Sequence, residues 1–153
     1  MPIKSLQWLR SSSLINRNAS LTSIWQIIGW WEARRLIFNL IIGATGVVTC
    51  LAILTIAVIS DYVLGIPVGM PDPPIFAFAG IIIYGVMANV CYTGGWVTEF
   101  IVKNTWPDQS EQFGTLSFTL GLVFAVIITL SPIALLGAAA LFIGVAKLAG
   151  FQI

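Results

Sequence analysis

The stretch LIFNLIIGATGVVTCLAILTIAVIS, residues 36–60, places 25 uncharged residues between Arg35 and Asp61. As a helix rising 1.5 Å per residue it is ~37 Å long, which crosses a ~30 Å hydrocarbon layer with some tilt. That length decides the class of the fold. The 153-residue chain is 58% hydrophobic and 8% charged, with a mean hydropathy of +0.98, so a soluble globule is excluded.

Two more charge-free gaps lie downstream. Between Asp72 and Glu99 run 26 residues opened by Pro73 and Pro74, and proline suits a helix start because its missing donor is not needed there. Between Glu111 and Lys147 run 35, or ~52 Å of helix, more than one crossing requires. Pro132, after Ser131, falls near the middle of that gap. It removes a backbone donor and displaces its predecessor from helical geometry, which predicts a tight hairpin. The expected fold is therefore all-α integral membrane: a four-transmembrane-helix bundle over 34–153, with spans at about 36–60, 74–99, 113–131 and 133–150. A cytoplasmic and interfacial arm, 1–33, precedes it.

The basic residues orient the chain. Lys4, Arg10, Arg17, Arg34 and Arg35 precede the first span, which puts the N-terminus in the cytoplasm. With four spans Lys103 and Lys147 also end inside, so all seven cations gather on one face; with three, Lys147 is the exception. The loop 61–74 then lies outside, apolar but rich in Pro and Gly, along the headgroups or under a partner. The inner loop 103–111 is short and polar, with Thr105 and Ser110 as N-cap candidates.

In the arm, Ser20 is a good N-cap, and Leu21, Ile24, Trp25, Ile28 and Trp31 recur at helical spacing. This predicts an N-terminal amphipathic interfacial helix that bends near Gly29 into the first span. The same face could instead pack on the protein's own helices. Residues 1–31 carry three cations, many serines and no acid, a composition that also suits a mitochondrial presequence; a secretory signal is not expected.

The chain has no histidine, which removes the commonest general base and metal ligand. Net charge is +1, so nucleic-acid binding has no support. Cys50 and Cys91 sit in apolar runs as a lone pair without CxxC spacing, and read as small packing residues rather than metal ligands. Their expected depths, ~21 Å and ~13 Å from the inner ends, also oppose a disulfide. No metal or cofactor is expected.

The densest polar cluster is Trp30-Trp31-Glu32-Ala33-Arg34-Arg35-Leu36-Ile37-Phe38-Asn39-Leu40. At helical spacing Glu32, Arg35, Asn39, Gly43, Gly46 and Cys50 share a stripe that should face protein, since glycines allow close approach and a buried amide needs a partner. The second span offers Gly85, Asn89, Tyr92, Trp96 and Glu99. Opposed chain directions predict a pair between Glu99 and Arg35 or Arg34, and a polar seam of Asn39, Asn89 and Tyr92. The structural or interaction residues are thus Glu32, Arg34, Arg35, Asn39, Asn89, Tyr92 and Glu99. Trp25, Trp30, Trp31, Trp96 and Trp106 are the expected interfacial anchors. In the last span Ala134/Ala138 and Ala140/Gly144 are small-xxx-small pairs that invite close packing.

The run from Trp31 to Leu40 resembles a segment of small uncharacterised bacterial multi-pass membrane proteins, in which W-E-x-R-R-L-x-[YF]-N enters the first span. The resemblance covers about ten residues. It implies a bacterial inner-membrane protein with Glu32, Arg34, Arg35 and Asn39 as the positions that matter, and it implies no activity.

Nucleophile–base constellations and phosphate loops are missing, and no ionisable residue sits mid-span. The expected function is a non-enzymatic accessory, assembly or scaffolding subunit of a larger membrane protein complex in the bacterial inner membrane; the alternative location is the mitochondrial inner membrane. The alternative function is a small oligomeric transporter or channel working along Asn39, Asn89, Tyr92 and Glu99. An enzyme with Glu32 or Glu99 as acid ranks third. Lipid, quinone or pigment could bind passively between the aromatic-rich spans.

Overall fold

The computed structural model describes residues 23–65, 75–106 and 113–150, and among them there is no strand. Three helices follow in order: α1, Ile24–Leu64; α2, Ile75–Thr105; and α3, Phe113–Leu148. All three are long and apolar enough to cross a membrane. Among the described residues, three helices and not the expected four are long and apolar enough to span a membrane.

The hairpin expected at Pro132 does not form, because α3 is one helix of 36 residues that continues through the proline. Pro132 cannot donate to the carbonyl of Ile128, four residues back. The Ser131 hydroxyl donates to that carbonyl instead, at 2.8 Å. Ser131 thus supplies the bond that the proline lacks.

α1 also begins earlier than expected. Ser23 precedes it, and the Gln26 side chain accepts from the Ser23 backbone N–H at 3.2 Å, one half of an S-x-x-Q capping box. The Gln26 and Ile27 amides both reach the Ser23 carbonyl. The helix passes through Gly29 without interruption, so residues 24–31 are the first two turns of the spanning helix and not a separate amphipathic one. The remainder of the expected arm, 1–22 with Ser20 and Leu21, lies outside the described residues.

At its other end α1 stops at Gly65, whose φ of +56° and amide bond to the Asp61 carbonyl, 3.1 Å, make a left-handed glycine cap. The rest of the external loop, 66–74, and Ser110 of the inner loop fall outside the described residues. Lys103 and Thr105 belong to the last turn of α2, so Thr105 ends a helix rather than starting one.

The described residues form two compact units. One draws on Met1–Asn39 and Val86–Phe124, the other on Leu40–Gly85 and Ala125–Ile153. Along α1 the inward face is marked by Ile27, Phe38, Thr49 and Ser60, all buried and each eleven residues after the last. Eleven residues make close to three helical turns, so these positions share one stripe. The expected small-residue stripe is not this one: a Cβ at Gly43 or Gly46 would touch nothing within 4 Å. Nor are the cysteines packing residues, since Cys50 and Cys91 are free thiols on exposed positions. In the C-terminal part of α3, Ala140 is buried, Gly144 half-buried, and Ala134 and Ala138 exposed.

Candidate functional site

The polar residues singled out in the sequence meet in the first unit, where the start of α1 runs beside the end of α2 and α3 closes over both through Phe118. Trp31 is the hub. It is 2% exposed, and its Nε1 donates to the Glu99 carboxylate at 2.8 Å; Glu99 is itself 1% exposed. A carboxylate taken out of water needs donors, and the indole N–H supplies one across the helix pair. The Tyr92 hydroxyl donates to the Trp31 carbonyl, so α2 grips both ends of one residue.

Close approach at this point depends on Gly95. A Cβ there would stand 2.5 Å from Trp31 Cη2 and 2.7 Å from Cζ3, well inside van der Waals separation. The six-membered ring of Trp31 occupies that space.

Aromatic rings complete the packing. Trp31 meets Trp30 at 5.6 Å, Tyr92 at 5.2 Å and Phe118 at 6.0 Å between centroids, all edge to face, in the range where ring quadrupoles attract. Phe38 lies 4.7 Å from Tyr92. Trp31 is therefore a core residue and not an interfacial anchor. Trp25 is 77% exposed and Trp106 56% exposed, while Trp30 and Trp96 are half-buried.

Beside this core runs a second, more exposed chain of bonds. Arg35 Nη2 bridges Glu32 at 2.8 Å and donates to Thr93 Oγ1 at 3.0 Å. Thr93 donates to the Asn89 carbonyl at 2.9 Å, and the side chains of Asn89 and Asn39 exchange two bonds of 3.0 and 3.3 Å. Nothing among the described residues accepts from the buried Arg35 Nε, although the guanidinium stands 5.4 Å from the Tyr92 centroid, where the ring face offers partial compensation. Arg34 lies over the Trp30 ring, 4.0 Å from its centroid, and donates to the Trp30 carbonyl at 3.1 Å.

Of the two partners expected for Glu99, Arg35 and Arg34, Arg35 bonds elsewhere. Arg35 is committed to Glu32 and Thr93, and Glu99 receives the Trp31 indole. Asn39 and Asn89 do meet as expected, but Tyr92 joins the buried core rather than their seam. Thr93, Gly95 and Phe118 were not singled out in the sequence. The doublet Gly94-Gly95 inside an apolar helix was the available signal for one of them; Thr93 and Phe118 carry none.

Chemically the cluster holds one buried carboxylate, one phenol and a neutralised arginine, all directed at protein atoms. No group of three or more potential metal ligands occurs among the described residues. Comparison with protein-family models, with curated proteins and with solved structures finds no match.

Proposed function

We propose that the chain is a non-enzymatic accessory, assembly or scaffolding subunit of a larger membrane protein complex. The observation that carries this reading is Asn39. Its side chain is exposed four residues into the uncharged stretch of α1, and its bonds with Asn89 use one of its two N–H groups. Among the described residues the second N–H meets no further acceptor. An amide in a spanning helix favours the bundle interior or a neighbouring helix over lipid, and a partner helix on this face supplies the acceptor.

The other polar side chains also support a packing role over a transport path. Tyr92 and Glu99 are buried in the core while Asn39 is exposed, so the four residues of the transport alternative are divided between inside and outside. Polar bonds between spanning helices contribute about 0.6 kcal/mol each on average, consistent with glue.

Three spans revise the expected threading. Lys4, Arg10 and Arg17 precede α1 in the sequence, and Arg34, Arg35 and Lys103 lie toward the end where α1 starts and α2 stops, which makes six of the seven cations. The positive-inside rule then favours a cytoplasmic N-terminus with Lys147 on the opposite side. We place the protein in a bacterial inner membrane, with the mitochondrial inner membrane as alternative.

The test is extraction in mild detergent, native separation and mass spectrometry of the band that contains the chain. Co-migration with a defined set of larger membrane proteins, lost in Asn39→Leu, is the expected result. Migration as a bare monomer or homodimer, together with solute flux in liposomes abolished by Glu99→Gln, overturns the reading in favour of a transporter.

A further inference from the structure

In the second unit, hydroxyls from all three helices converge just ahead of Pro132. The Tyr84 hydroxyl of α2 lies 2.6 Å from Thr129 Oγ1 and 3.2 Å from the Ala125 carbonyl oxygen. Thr49 of α1 donates to the Thr129 carbonyl at 3.0 Å. Both neighbouring helices thus bond to α3 between 125 and 129, and Thr49 and Thr129 are buried there. This segment is pinned.

Beyond the proline the situation changes. Among the described residues from 132 to 148, Ala140 alone is buried. The one side-chain hydrogen bond these residues make outside α3 is from Lys147 Nζ to the carbonyl of Gly65, just past the end of α1, 2.8 Å, on the surface. At the proline, the Ile128 carbonyl is satisfied by Ser131 from its own turn, not by a neighbouring helix. Rotation at this point strands no polar group in lipid. Released Lys147 stays at the membrane surface, where its ammonium is hydrated.

We infer that residues 132–148 form an arm that turns about Pro132, with Lys147 on the Gly65 carbonyl as the latch that holds it closed. Thr49 and Tyr84 fix the near side of the hinge. Lys147 completes the far side by meeting the negative end of α1. The latch is a single surface bond, so the closed arm is only modestly favoured over the open one.

The test uses the full chain in phospholipid nanodiscs, with Cys50 and Cys91 changed to Ala and spin labels at two pairs of exposed positions. The pair Leu51 and Ile128 reports the pinned side, and the pair Ile59 and Leu141 reports the arm. Lys147→Gln is expected to widen the arm's distance distribution about twofold while leaving the Leu51/Ile128 pair unmoved, as hinging at one proline requires. Pro132→Ala, which restores the backbone bond, is expected to return the arm to a narrow distribution even in the Lys147→Gln background. An arm distribution unchanged by Lys147→Gln, equal widening of both pairs, or an arm still wide with Pro132→Ala would each overturn the proposal.

Discussion

Gly95 of α2 leaves the space that the indole of Trp31 fills: a Cβ at this position would lie 2.5 Å from the ring. The glycine lets α2 come close enough for the indole N–H to reach Glu99 and for Tyr92 to reach the Trp31 carbonyl. One missing methyl group thereby sets the distance between two membrane helices.

Gly95→Ala should destabilise the protein. Alanine is the better helix former by about 1 kcal/mol, but overpacking against a buried ring costs about 1–3 kcal/mol, so the net change is a loss. Gly94→Ala is the control, since a Cβ there meets nothing within 4 Å, and it should be neutral or mildly stabilising. Unfolding of the detergent-solubilised protein by heat or by added denaturing detergent measures both. Equal effects at the two positions would contradict the packing described.

Trp31 and Glu99 should be energetically coupled. Trp31→Phe keeps most of the ring but removes the donor, leaving a buried carboxylate one bond short at a cost of about 1–3 kcal/mol. Glu99→Leu removes the acceptor and should reduce the further loss from Trp31→Phe. A double-mutant cycle on unfolding free energy tests this, and simple additivity would mean that the bond contributes nothing.

Ser131 and Pro132 should likewise act as a pair. Ser131→Ala strands the Ile128 carbonyl and should cost about 1 kcal/mol in the native sequence. In a Pro132→Ala background the backbone N–H of residue 132 takes that carbonyl, and Ser131→Ala should become silent. A serine effect that persists without the proline would show that its hydroxyl has another task.

The sequence made the membrane class, the three charge-free stretches and the meeting of Asn39 with Asn89 legible, because charge gaps and helical spacing report directly on burial in lipid and on shared faces. It misled at Pro132. A proline in a 35-residue gap suits a turn and a tolerated helical position equally well, and what separates them is the bond from Ser131 back to Ile128, which no pattern announces. The stripe through Gly43, Gly46 and Cys50 failed for a related reason. In lipid both the protein-facing and lipid-facing sides of a helix are apolar, so composition does not distinguish the buried line through Phe38 and Thr49 from its neighbour. Tryptophans favour interfaces, which suggests an anchor at Trp31; its burial follows from Gly95 and Glu99 on a different helix.

Three helices long enough to span a membrane imply three crossings, and labelling of single cysteines tests that number. With Cys50 and Cys91 changed to Ala, Lys103→Cys and Lys147→Cys are each treated with a membrane-impermeant maleimide in right-side-out and inverted vesicles. Three spans with a cytoplasmic N-terminus predict that position 103 reacts only in inverted vesicles and position 147 only in right-side-out ones. Reaction of both positions from the same face would contradict the account and restore an even number of crossings.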